Sequence, residues 1–155
     1  LLAKVSRAHP KIGDYPFTTL YPNLGVVRKG DKEFVLADIP GLIAGASQGA
    51  GLGTRFLGHI ERCSLLLHVI DGSYGDILET YKVICDELKS YGADLIKKKQ
   101  IIVLGKCDLL NEKQLKAKEK ELRSVSGVKT LSISSISGLG INELINEIFE
   151  NIRKL

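Results

Sequence analysis

QIIVLGKCD, residues 100–108, is the stretch whose reading decides the fold. Ile101 to Leu104 run without a polar break and then stop at Gly105-Lys106-Cys107-Asp108. A short, unbroken apolar run is the signature of a parallel strand buried on both faces, where alternation would mark a half-exposed one. Helical periodicity lies on either side of it. Ile77, Leu78, Tyr81, Ile84, Cys85 and Leu88 recur at helical spacing upstream, and Glu112 to Arg123 form a charged amphipathic helix downstream. Two more apolar runs, Ser64 to Asp71 (SLLLHVID) and Lys129 to Ser134, read as further buried strands. Ile141, Leu144, Ile145, Ile148, Phe149 and Ile152 mark a last helix. Strand and helix therefore alternate, which predicts a doubly wound α/β architecture with a mostly parallel sheet. In such sheets ligands bind at the C-terminal ends of the strands.

The first third of the chain is built differently. All four prolines, at positions 10, 16, 22 and 40, fall there, and proline interrupts helices and central strands. Leu1 to Ala8 (LLAKVSRA) reads as the tail of a helix, and His9 to Asn23 as a long loop of the kind that is usually functional. Leu24 to Lys29, a Gly30-Asp31 turn and Glu33 to Asp38 read as a hairpin. Ile39 to Gly53 holds five glycines, at 41, 45, 49, 51 and 53, and reads as a second loop, followed by a short helix over Thr54 to Arg62.

Composition narrows the class without deciding it. The 155 residues suit a single domain large enough for its own core. No apolar run approaches the ~20 residues of a membrane span, and no signal peptide is visible. Three cysteines, Cys63, Cys85 and Cys107, without a C-x-x-C pair argue against a disulfide framework or zinc site and for reduced thiols in a cytoplasmic protein. Cys63 and Cys107 adjoin apolar runs and read as small buried residues. The net charge of +4 permits a nucleic-acid partner without requiring one, and Lys97-Lys98-Lys99 reads as a solvated face.

Three strand ends carry residues suited to chemistry. Asp38-Ile39-Pro40-Gly41 follows an apolar strand: the carboxylate is placed to reach a phosphate-bound Mg²⁺, and the glycine lets backbone N–H approach a γ-phosphate. A simple strand-to-turn exit explains the same four residues. Gly105-Lys106-Cys107-Asp108 places a lysine stem to lie over a base and a carboxylate to accept two hydrogen bonds from guanine N1 and N2. Adenine would leave that carboxylate unpaired. The alternative is a solvated lysine and a helix-capping aspartate. Ser134-Ser135-Ile136 would let backbone N–H groups approach the base carbonyl, or would be only a small-residue loop leading into a helix. Thr18 and Thr19 offer a hydroxyl and a carbonyl to a metal shell, or are merely polar loop residues.

The order of these strand ends is that of a GTPase domain. Longer segments narrow it: Tyr15-Pro-Phe-Thr-Thr-Leu, Asp38-Ile-Pro-Gly-Leu-Ile-Ala-Gly-Ala and Gly49-Ala-Gly-Leu-Gly, with Phe56 to Arg62 and Cys63 following. On these the chain resembles the Obg family of GTPases over essentially its whole length. The resemblance implies a P-loop NTPase fold of the Ras-like G-domain type. It implies a nucleotide site drawn from Phe17, Thr18, Thr19, Asp38, Ile39, Pro40, Gly41, Gly105, Lys106, Asp108, Ser134, Ser135 and Ile136, with Thr19 and Asp38 at the metal. The loop ending at Thr19 would be the first switch and Asp38 to Gly53 the second, ordered by γ-phosphate and Mg²⁺ and released after hydrolysis. GTP or GDP would be the bound nucleotide, and the large ribosomal subunit, with its rRNA and proteins, the partner.

Departures from the pattern qualify that picture. Leu42 stands where Ras-like enzymes keep a water-orienting glutamine, which implies slow hydrolysis; Gln48 lies nearby, and no residue of the chain is assigned as catalytic. No G-x-x-x-x-G-K-S/T occurs. The first strand and the phosphate loop are expected upstream of Leu1, which is not Met, and the residues as given are expected to be inactive alone. Gly105 stands where the pattern has asparagine, which predicts weaker guanine affinity. The competing reading is a degenerate, non-hydrolysing binding module that docks on a ribosomal or protein partner. An ATP-using α/β protein is disfavoured by Asp108.

Overall fold

Asn23–Lys29 (β1) and Lys32–Asp38 (β2) pair antiparallel from Asn23↔Asp38 to Lys29↔Lys32, closed by the Gly30-Asp31 turn. Gly30 has φ +59, which is why a glycine opens this two-residue turn. The computed structural model describes residues 1–6, 23–38, 60–91 and 94–153. It divides into two compact units, Leu1–Leu42 and Ile43–Leu155. The hairpin expected from the sequence is present, each strand beginning one residue earlier than predicted. In the same unit a one-turn helix, Leu2–Val5 (α1), packs on β1 directly over Gly25. A Cβ at Gly25 would stand 2.8 Å from Leu2 Cδ1 and from Ser6 Cβ, so the helix rests where only glycine leaves room.

The second unit is a three-stranded parallel sheet in the order β3-β4-β5, formed by Leu66–Asp71, Gln100–Gly105 and Thr130–Ser132. Ile77–Tyr91 (α2) links β3 to β4, Glu112–Ser126 (α3) links β4 to β5, and Ile141–Ile152 (α4) follows. The core joins Ile70, Ile102 and Leu104 of the sheet to Ile77 of α2 and Leu122 of α3. Tyr81, Leu110 and Leu115 pack against it. α3 is fixed at its start by a capping box. The Asn111 side chain accepts from the Gln114 N–H (2.9 Å), and the Gln114 side chain accepts from the Asn111 N–H (3.0 Å). It ends at Gly127 in the left-handed region. α4 buries Ile141, Leu144, Ile148 and Phe149, the helical stripe read from the sequence.

Two expectations change on contact with the structure. The central strand β4 is buried on both faces, with Ile101 to Leu104 no more than 5% exposed, but β3 is buried on one: His68 and Ile70 lie inside while Val69 is 47% exposed. β3 is outermost in this sheet and lacks a second described neighbour. Lys98, read as part of a solvated face, is half-buried. Its Nζ donates to the carbonyls of Glu61 (2.9 Å) and Cys63 (2.8 Å), where the chain leaves a helical stretch and enters β3. Cation at a helix C-terminus is favourable placement. Lys97 pairs with Asp94 on the surface.

Candidate functional site

The sheet order sets three chain turns side by side at the C-terminal ends of β3, β4 and β5. The middle one is Gly105-Lys106-Cys107-Asp108. Lys106 has φ 55 and ψ 34, and among the described residues no other non-glycine has positive φ. Such a conformation costs of order 1 kcal/mol or more and persists only where surrounding structure imposes it. Here the turn is held from three directions. On the β5 side the Cys107 N–H donates to Ile133 O (3.1 Å) and the Ile133 N–H to Leu104 O (2.8 Å). Within the turn the Leu109 N–H donates to Lys106 O (3.0 Å), closing a single 3₁₀ turn over Cys107–Leu109. On the β3 side Lys106 Nζ lies 2.6 Å from Asp71 Oδ2.

Asp108 is exposed, and among the described residues no hydrogen bond occupies its carboxylate. The bland reading of this aspartate, a helix cap, fails: the cap of α3 is Asn111. Lys106 is exposed, as a solvated lysine would be, but its ammonium is paired with Asp71. Cys107 between them is 3% exposed; burial first, then the Asp108 charge, pushes its thiol up, so it serves as a core residue. Gly105 is not demanded by packing. A Cβ there would meet Ile70 O at 3.5 Å and Val69 Cγ1 at 3.6 Å, ordinary contact distances.

The third turn, after β5, is folded on itself. Ser134 is fully buried; its N–H donates to Leu139 O (2.9 Å), its carbonyl accepts from Gly138 (2.9 Å), and its Oγ accepts from the Ser137 N–H (3.1 Å). Ser134 therefore shapes the loop and does not offer a free N–H. The amides of Ser135 and Ile136, half-buried and exposed, have no backbone acceptor within the described chain and remain the donors of this loop.

Asp71 is the residue that sequence reasoning missed. Burial alone would raise its carboxyl, but the hydrogen bonds from Lys106 and Ser73 outweigh it and hold the group below the usual carboxylate range. The matching effect on Lys106 comes first from its hydrogen bond to Asp71 and raises the ammonium above its ordinary value. A signal was available: Asp71 ends an apolar strand as Asp38 does.

Asp38 is the last residue of β2, paired across the ladder with Asn23 and exposed. It belongs to the first unit, Lys106, Asp108 and Ser134 to the second. Phe17, Thr18, Thr19, Ile39, Pro40 and Gly41, with the two expected switch loops, lie outside the described residues apart from the loop ends Asn23 and Asp38.

A family model described as 50S ribosome-binding GTPase matches residues 1–106. Among solved structures, the G domain of the Thermotoga maritima FeoB iron transporter is similar at 19% identity and a TM-score of 0.69, covering 96% of this chain and 87% of that one. The cytosolic domain of Legionella pneumophila FeoB is similar at 15% identity and 0.67, covering 96% of this chain. Era in complex with MgGDPNP and nucleotides 1506–1542 of 16S ribosomal RNA is similar at 20% identity and 0.64, covering 95% of this chain and 48% of that one. This chain spans 56% of the Legionella domain. At these identities the likeness establishes the fold, an α/β P-loop GTPase G domain with a parallel sheet, as the alternation of strands and helices predicted.

Proposed function

The chain belongs to the 50S ribosome-binding GTPase family, and on that premise we propose that its strand-end turns hold the base of a guanine nucleotide in a slow, GTP-hydrolysing switch of the Obg type. The observation that carries this is the state of Asp108. It is exposed, relieved of any capping duty, and carried on a turn whose backbone is fixed to β5 and whose lysine is fixed to β3. A carboxylate so placed is an acceptor awaiting two donors, which the N1 and N2 edge of guanine supplies and adenine does not. The Obg assignment is supported by the segments at residues 15–20, 38–46 and 49–53. With it comes a cytoplasmic role in assembly of the large ribosomal subunit, with rRNA and ribosomal protein as partners.

Mg²⁺ takes oxygen ligands, keeps several waters and is bound largely by substrate phosphates. Among the described residues no group of three or more His, Cys, Asp or Glu could cage it. The exposed Asp38 at a strand end fits a water-mediated contact to an ion carried by the nucleotide, with Thr19 as the other protein oxygen. The ion would neutralise charge on the phosphates.

A non-hydrolysing binding module is the second reading, favoured by Gly105, which lacks the amide expected there. Titration of the full-length protein with labelled GDP separates the two. Under the proposal Asp108→Ala loses about 3 kcal/mol, roughly 100-fold in affinity, the worth of two hydrogen bonds to a charged group. Excess ATP fails to displace the label. Unchanged affinity in the variant, or equal competition by ATP, overturns the guanine assignment. Binding without turnover selects the module.

A further inference from the structure

The turn at the end of β4 holds a lysine between two carboxylates. Asp108 lies two residues further along the same turn, and Asp71 belongs to the neighbouring strand, opposite Gly105 in the parallel register. An ammonium drawn to Asp108 would occupy the oxygens that the base edge needs. In this structure it is drawn the other way, with Lys106 Nζ 2.6 Å from Asp71 Oδ2. We propose that Asp71 is a positioning residue for nucleotide binding: it holds Lys106 on the β3 side of the turn, which leaves Asp108 open to the base and braces a loop that Gly105 cannot brace. This rests on the guanine-site reading above.

The carboxylate of Asp71 is itself fixed. Its other oxygen accepts from the Ser73 N–H (2.9 Å) and the Ser73 hydroxyl (2.6 Å), so the side chain has one orientation to offer the lysine. The backbone beside it is tied to the same turn, the Gly72 N–H donating to Gly105 O at 2.8 Å. A Cβ at residue 72 would stand 2.7 Å from that carbonyl oxygen, so the two strand ends approach as closely as they do because a glycine follows Asp71. The pair is not a device for folding stability. The Lys106 and Asp71 side chains are 57% and 33% exposed, and ion pairs in that environment contribute little to folding. Its effect lies in restricting where a strained, left-handed lysine places its ammonium. Preorganisation of this kind appears in affinity because the ordering is complete before the ligand arrives.

The test is a double-mutant cycle on the full-length protein, read by labelled GDP titration with melting temperature as a control. Asp71→Asn is expected to weaken GDP and GTP alike by about tenfold, as for loss of one charge-assisted bond. Asp71→Glu, which keeps the charge, should recover most of that loss, and the melting temperature should stay put. In a Lys106→Ala background Asp71→Asn should add nothing, because Asp71 acts through the lysine. Asp71→Asn within twofold of the parent, or a loss that persists undiminished without Lys106, overturns the proposal. Its failure is distinguishable from failure of the guanine reading. If GDP binds the parent and Asp108→Ala weakens that binding by roughly 100-fold, the base site stands whatever Asp71 does; if the parent binds no guanine nucleotide, the site itself falls.

Discussion

The hairpin and the parallel sheet each carry a strand that ends in an aspartate, Asp38 and Asp71, and they present it on opposite terms. β1 buries Gly25 and Val27, and β2 buries no residue fully, so the hairpin is defined by its ladder more than by a core. Two-stranded hairpins are marginal in water on their own. Asp38 ends that ladder exposed, with no side-chain hydrogen bond or ion pair among the described residues. Under Asp71, Lys106 and Asp108 lies a close-packed layer of Ile70, Ile102 and Leu104, with helices α2 and α3 upon it. There the turn geometry is a consequence of the core, down to a left-handed lysine. The difference teaches that Asp71, Lys106 and Asp108 stand on turns fixed by a packed core, whereas Asp38 stands on a ladder with little core of its own.

Core truncation is the harshest way to break this contrast. Leu104 is fully buried in β4, and its carbonyl receives the Ile133 N–H that joins the turns after β4 and β5. Leu104→Ala should destabilise the protein by about 2–5 kcal/mol, the transfer term plus the cavity left behind. Val35 on β2 is 61% exposed, and Val35→Ala should change stability by no more than about 0.5 kcal/mol. Urea unfolding of both variants measures the difference. Comparable losses would mean that the hairpin carries as much of the fold as the sheet.

A second test is the pH dependence of the sheet unit. His68 on β3 is 7% exposed and stacks on Tyr81 of α2, ring centroids 5.1 Å apart. Gln100 lies near enough to favour the charged ring, but burial wins and pushes the imidazole down to about 4. Well above pH 6.5 the ring is neutral folded and unfolded and contributes nothing. Below that, the unfolded chain takes a proton that the folded chain refuses, so stability falls until the folded ring titrates near 4. The full loss is about 3 kcal/mol, since each factor of ten in proton affinity corresponds to about 1.4 kcal/mol. His68→Phe should flatten this limb of the stability curve between pH 6.5 and 4, measured by denaturant unfolding at each pH. The hairpin, which contains no histidine, should show no such limb. A variant curve as steep as the parent's would place the titrating group elsewhere.

What the sequence disclosed and what it hid divide along the same physical line. Apolar runs and helical stripes report burial, and burial is what forms β4, α2, α3 and α4, so these elements were legible to within a few residues. The turns were legible only as residue types. Nothing in Lys-Cys-Asp says that the lysine is left-handed, since that follows from the paths of two strands and one hydrogen bond across the sheet. Nothing in Ser134-Ser135-Ile136 says that the first serine is consumed in shaping its own loop. Lys98 looked like one of three surface lysines, because its acceptors, the carbonyls of Glu61 and Cys63, are backbone atoms 37 and 35 residues away. Asp71 was hidden by its own strand: as the last residue of SLLLHVID it read as the end of a run, until the register set it beside Gly105.

The smallest expected effect addresses that glycine and sharpens the comparison at its closest point. An asparagine Cβ at 105 would meet Ile70 O and Val69 Cγ1 at ordinary contact distances, so the substitution is sterically open. Gly105→Asn would place an amide on the turn after β4 of the full-length protein, and under the proposed function a single hydrogen bond from it is worth about 1 kcal/mol, or roughly fivefold in GDP affinity. Removing the freedom of a glycine in the unfolded chain also favours the folded one by a few tenths of a kcal/mol. If Asp71 already supplies most of the bracing, the gain should be larger in Asp71→Asn protein than in the parent, because two braces on one turn are partly redundant. Labelled GDP titration of the four proteins in that cycle measures the coupling. Equal gains in both backgrounds would show that the amide and the Asp71–Lys106 pair act on separate parts of the nucleotide. A loss on introducing asparagine would show that the turn, fixed by the core beneath, is fitted to the glycine and does not accept a side chain there.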